Sequence, residues 1–174
     1  EDNILSRVTP ARTRRLLEDA KLANYNCVRI WGGGYYPDDF FFDICDELGL
    51  MVWQDFMYAC AYYDLTPDFE KSIRLEAEQN VRRLRHHASL ALLCGNNEME
   101  QFQAEGIAAE HKGDFVSFGP SRPSHHADYI KMFEYILPEI CGRLAPQTFY
   151  WPASPSSGGA FDEPNAENRG DVHY

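Results

Sequence analysis

Four apolar runs in this chain lead into side chains that can do chemistry. Cys27-Val28-Arg29-Ile30-Trp31 carries a guanidinium and an indole, and Leu50-Met51-Val52-Trp53 is followed by Gln54 and Asp55. Leu90-Ala91-Leu92-Leu93-Cys94 runs into Gly95, Asn96, Asn97 and Glu98, and Thr148-Phe149-Tyr150-Trp151 leads to Ser154 and Ser156. A carboxylic acid gives or takes a proton, an amide binds hydroxyls, a guanidinium grips a carboxylate, and tryptophan offers a flat apolar face. Each residue also has an ordinary use. Glu98 could open a helix, where the macrodipole favours its charge; Asn97 suits a tight strand exit; and Asp55 could cap a turn. Arg29 could form a structural salt bridge, and Trp31 could simply pack.

The elements needed to place these groups are legible in the spacing. Thr9-Pro10 opens a helix lined by Leu16, Leu17, Ala20 and Ala23 that ends near Asn24. A second helix starts near Pro37, turns Phe40, Phe41, Ile44 and Leu48 inward, and closes at Gly49. Thr66-Pro67 opens a third, with Phe69, Ile73, Ala77, Val81 and Leu84 at steps of three or four. Helical periodicity returns from about His125 to Leu144, with a kink or break expected at Pro138. Residues 54–65 and 152–170 read as long loops, and Asp171-Val172-His173-Tyr174 as the beginning of a further strand.

Strands alternating with helices, the strands apolar on both faces, predict an α/β fold with a parallel sheet and right-handed crossovers. A doubly wound sheet would place a G-x-G-x-x-G phosphate loop after its first strand, and Gly32-Gly33-Gly34 lacks that spacing. A (β/α)₈ TIM barrel instead gathers its chemistry at the C-terminal ends of several strands, which is where the polar residues fall here. Such a barrel takes ~250 residues and eight strands. With 174 residues, four strands and a fifth begun, the expectation is a partial (β/α)₈ barrel, about strands 2 to 6. It would form a single domain over 1–174, truncated at both ends, with 1–7 as a βα loop. Its exposed strand edges would promote self-association.

Composition narrows the function. Sixteen Lys and Arg against 27 Asp and Glu give a net charge of −11, which repels polyanions and argues against nucleic acid as a partner. No apolar stretch is long enough to span a membrane, and no basic-then-apolar leader is visible, so no membrane partner is expected. Cys27, Cys45, Cys60, Cys94 and Cys141 are odd in number and lie in apolar or helical runs. They read as reduced core residues, which favours a cytoplasmic location. Of the six His, His86-His87 and His125-His126 are adjacent and would point about 100° apart on a helix, so no metal is expected.

Three segments together resemble glycoside hydrolase family 2, and within it the β-mannosidases. They are Val28-Arg29-Ile30-Trp31-Gly32-Gly33-Gly34, the stretch from Cys45-Asp46-Glu47 through Trp53-Gln54-Asp55-Phe56, and Leu90-Ala91-Leu92-Leu93-Cys94-Gly95-Asn96-Asn97-Glu98. Weaker matches lie at Ser154-Pro155-Ser156 and Gly170-Asp171-Val172-His173. The resemblance implies a retaining exo-acting enzyme that removes terminal β-linked mannose by double displacement, with a β-mannoside oligosaccharide as partner and no cofactor. Glycosidic cleavage needs one carboxyl to protonate the leaving oxygen and a second to attack the anomeric carbon. The resemblance makes Glu98 the acid and then base, in an aromatic pocket that disfavours its charged form. It makes Asn97 the partner of the sugar 2-hydroxyl and Arg29 a support for the nucleophile. Trp31, Asp55 and His173 become further sugar contacts. In the family the nucleophile lies on the seventh strand, past Tyr174, and Glu163 and Glu167 read as solvated charges, so the isolated chain is expected to be inactive. A related family 2 activity (β-galactosidase, β-glucuronidase or exo-β-glucosaminidase) or a non-catalytic carbohydrate-binding barrel fragment is the alternative.

Overall fold

Hydroxyl caps and prolines start the helices where the sequence places them. In the computed structural model, which describes residues 4–112 and 122–172, α1 (Pro10–Leu22) begins with Thr9 accepting the amide of Arg12 at 3.3 Å. The same device opens α3 (Pro67–Leu84), where Thr66 accepts the amide of Phe69 at 3.2 Å. Each cap satisfies a donor that the first turn leaves without an intrahelical acceptor. Between them, α2 (Asp39–Leu48) stops at Gly49, whose φ of +68° lets the chain turn sharply into the next strand.

The strands are β1 (Cys27–Ile30), β2 (Met51–Asp55), β3 (Leu90–Cys94) and β4 (Phe149–Trp151), all parallel and side by side in chain order. That order has no reversal. Successive right-handed crossovers therefore all lie on one face, as in a barrel wall, whereas a doubly wound sheet reverses and covers both faces. α1 packs on α2, and α3 packs against the helix preceding β4. Between these helices and the sheet lies a continuous core that includes Ile30, Phe42, Val52, Ile73, Val81, Leu93, Phe133 and Ile140.

Register and alternation sort the strand residues into two faces. Arg29 pairs with Trp53, Trp53 with Leu92 and Leu92 with Phe149, so these residues share the face opposite the helices. Along the same face Asp55 lies beside Cys94 and Cys94 beside Trp151. This concave face is partly open. Met51 is 46% exposed and Phe149 58%, although strand apolarity predicts cover on both sides. Helices cover one face, while in a closed barrel the opposing strands cover the other.

The structure adds one element and changes three expectations. Residues 99–112 form a helix, α4 (Met99–Lys112), in a stretch without a clean apolar stripe. The region from 123 to 144 is continuous: α5 (Pro123–Ile130), a π-helical segment (Lys131–Ile136) and α6 (Leu137–Leu144), with no break at Pro138. Proline has no amide for the preceding turn and crowds it, and the wider π turn absorbs both effects. Asp171 and Val172 are not in a strand, and the rest of the expected fifth strand, His173 included, lies outside the described residues. The cysteines also divide: Cys45, Cys94 and Cys141 are buried, whereas Cys27 and Cys60 are exposed rather than core.

Candidate active site

Beyond its last strand residue, β3 keeps bonding to its neighbours, and this extension carries the candidate acid. Asn97 donates its amide to the Tyr58 carbonyl at 3.0 Å and accepts the Cys60 amide at 3.0 Å. On the other side Ser154 donates to the Asn96 carbonyl at 3.0 Å, and Glu98 donates to the Ser154 carbonyl at 2.9 Å. The loops after β2 and β4 thus clamp Asn96-Asn97-Glu98 at the C-terminal edge of the sheet. Glu98 has a φ of +63°, a conformation that costs a non-glycine residue about 1 kcal/mol or more, and its half-exposed side chain stands just before α4. The enclosure expected around Glu98 is therefore partial in this chain.

Asp55 organises the neighbouring strand ends. It is fully buried and receives the Arg29 Nη2 at 2.8 Å, the Arg29 Nε at 3.2 Å, the Trp53 indole N–H at 2.8 Å and the Gly32 amide at 3.0 Å. Burial raises the Asp55 pKa, against the pull of Arg29 and the other donors that favour the carboxylate. Arg29, whose own burial works against its charge, is held in the charged form by Asp55. Asp55 was expected to reach sugar hydroxyls. In this chain both of its oxygens accept protein donors.

Arg29 passes the organisation on. Its Nη2 also donates to Asn97 Oδ1 at 3.1 Å, and Asn97 Nδ2 donates to Cys60 Sγ at 3.4 Å. Cys60 Sγ in turn lies 3.3 Å from Glu98 Oε2. Asp55, Arg29, Asn97, Cys60 and Glu98 are therefore joined in one hydrogen-bonded chain drawn from three strand ends. Trp31 is 47% exposed and lies across Gly33, where an added Cβ would fall 2.0 Å from its ring. It lines a cleft of about 210 Å³ with Arg29, Ile30, Tyr35, Pro37 and Phe40. Four of the sequence-derived site residues are thus joined, Trp31 is beside them, and His173 lies outside the described residues.

Cys60 and Glu100 were missed. Cys60 reads as core within an aromatic loop, and its place follows from the pairing with Asn97, which no local spacing reveals. Glu100 is fully buried two residues beyond Glu98, beside Tyr129, whose hydroxyl is 3.4 Å from Oε2. Burial pushes its pKa up to about 7, with Glu134 adding repulsion, against the hydrogen bonds from Ser156, Phe161 and Tyr129. Glu163 is exposed and paired with Arg169 at 2.7 Å.

Among the described residues Asp43, Asp46 and His87 bring possible metal ligands within 4.8 Å of one another. Asp46 and His87 are already bonded to each other at the other end of β3. Asp46 accepts the Ser89 amide and lies 2.7 Å from His87 Nδ1. His125 lies 3.2 Å from Asp64 and accepts the Arg122 amide.

The chain matches no protein-family model. It is 40% identical over 173 residues to β-mannosidase B of Aspergillus niger and 43% identical over 176 residues to that of Aspergillus clavatus. Both matches cover 99% of the chain and 20% of the relative, so the chain spans about a fifth of the length of the curated relatives it matches. The crystal structure of a β-D-mannosidase from Dictyoglomus thermophilum superposes with a TM-score of 0.80 at 39% identity, over 98% of this chain and 19% of that one. Bacteroides uniformis β-glucuronidase 3, at 22% identity and a TM-score of 0.58 over 82% of this chain and 16% of that one, shares the fold. By sequence along nearly its whole length, and by its four-stranded stretch of barrel wall, the chain is a homologue of a fifth-length segment of the β-mannosidases it matches.

Proposed function

We propose that these residues form the acid/base half of the active site of a retaining exo-β-mannosidase, in a segment of its (β/α)₈ catalytic domain. The observation that carries this is the bonded chain from Asp55 through Arg29, Asn97 and Cys60 to Glu98 at the C-terminal ends of adjacent parallel strands, where barrel enzymes act. Glu98 protonates the departing sugar oxygen as the anomeric carbon is attacked, then removes a proton from the water that releases the glycosyl intermediate. Asn97 binds the 2-hydroxyl, a contact that tightens as positive charge develops, and Trp31 stacks on the apolar face of the sugar. Arg29 supports an attacking carboxylate contributed from outside these 174 residues. Asp55 is a positioning residue that fixes Arg29.

Mannobiose binding and turnover by the full-length protein carrying this segment test the assignment. Glu98→Gln retains affinity within a few-fold and loses about 10²–10⁴ in turnover. Affinity without turnover in the unaltered protein would instead identify a binding barrel. A panel of nitrophenyl glycosides separates mannoside from galactoside, glucuronide and glucosaminide specificity.

A further inference from the structure

Cys60 lies in a loop, is exposed, and has a φ of +52°. Non-glycine residues adopt that conformation at a cost, and here the surroundings hold it in place through the Cys60 amide bonded to Asn97 and the flanking Ala59–Asn97 bridge. Its partner Glu98 has the same kind of backbone, at +63°. Two left-handed residues are thus aimed so that a thiol and a carboxyl meet at 3.3 Å.

The direction of each hydrogen bond gives the contact a purpose. Arg29 donates to Asn97 Oδ1, Asn97 Nδ2 donates to the Cys60 sulfur, and that sulfur has one hydrogen left to give, to Glu98 Oε2. Donors in series polarise one another, so part of the influence of the guanidinium reaches Glu98 through two neutral groups. A carboxyl has two equivalent oxygens, and a general acid must carry its proton on the one facing the scissile bond. We infer that Cys60 is a positioning residue for the acid/base carboxyl: its S–H engages Oε2, which leaves the transferable proton on Oε1. Partial desolvation of the sulfur and the neighbouring Glu98 raise the thiol pKa and keep it protonated at neutral pH, as donation requires. Among the described residues, the titratable and charged groups linked to the pair include Arg29 of β1, with its partner Asp55 of β2 and Asp171 acting on it, and Tyr63 of the β2–α3 loop.

The inference rests on Glu98 as the acid/base and is tested by the pH dependence of kcat/KM in the full-length protein, for Cys60→Ser, Cys60→Ala and Glu98→Gln. A hydroxyl donates more strongly than a thiol and stabilises the carboxylate, so Cys60→Ser moves the alkaline limb to lower pH. Cys60→Ala removes the donor and moves it to higher pH, each by about half a unit. Opposite displacements cannot come from general loosening of the loop, which would lower the whole profile without moving its limbs. Superimposable limbs for all three Cys60 forms, with Glu98→Gln inactive, would overturn the positioning role alone. An active Glu98→Gln protein would overturn the acid/base assignment beneath it.

Discussion

A single hydrogen bond, 3.0 Å from the Gly32 amide to Asp55, ties the glycine-rich exit of β1 to the arginine anchor. A Cβ on Gly32 would lie 2.6 Å from the carbonyl oxygens of both Phe56 and Tyr58, backbone atoms that cannot swing aside. Gly32→Ala is therefore expected to destabilise the protein by about 1–3 kcal/mol through overpacking and to pull the amide away from Asp55. Urea denaturation measures the first effect, and a rise in KM the second. Asp55→Asn weakens the grip on Arg29 at the cost of one charge. We expect roughly 2–3 kcal/mol, below the ~3–5 of a fully buried pair because the Arg29 side chain is 33% exposed. At this scale the sequence disclosed which residues gather but not what each one faces. Asp55 follows an apolar strand and could have pointed to either face, and its inward turn depends on the register between β1 and β2.

Among the elements, α4 carries the largest consequence that spacing did not disclose. Its opening residues, Met99-Glu100-Gln101-Phe102-Gln103, mix two apolar side chains with polar ones that are themselves buried, Glu100 and Gln103 among them. A buried polar face has no hydrophobic period to detect. Glu100 makes this helix sensitive to pH. The native protein holds its proton up to about pH 7, whereas an unfolded glutamate releases it near 4.5. Over that interval the unfolded chain binds fewer protons, so stability falls as pH rises from about 4.5 to about 7 and is level above. Glu100→Gln abolishes the decline and gains about 3 kcal/mol on the wild type between those limits. Thermal denaturation at pH 5 and pH 8 checks this, and a wild-type decline that persists in the variant would locate the titration elsewhere. The helix from 123 to 144 teaches a complementary lesson: Pro138 was visible, but its effect depends on whether the preceding turn can widen.

For the molecule as a whole, strand order was readable because each βα unit is local, with apolar run, glycine stop and capped helix in immediate succession. The open face was less so, because apolar strands give no sign of what covers them. β1 and β4 are the outer strands of the sheet, and Met51, Trp31 and Phe149 add exposed apolar surface on or near the concave side. The 174-residue chain alone is therefore expected to associate with itself as concentration rises, measurable by sedimentation. A concentration-independent monomer would contradict that expectation.

Proton delivery by Glu98 to the leaving sugar is tested most directly by varying how much that leaving group needs a proton. In the full-length protein, kcat/KM is compared for wild type and Glu98→Gln on mannobiose and on dinitrophenyl β-mannoside, whose phenolate departs unassisted. The account predicts a loss of about 10²–10⁴ on mannobiose and a far smaller one on the dinitrophenyl substrate. Equal losses on both substrates would contradict it.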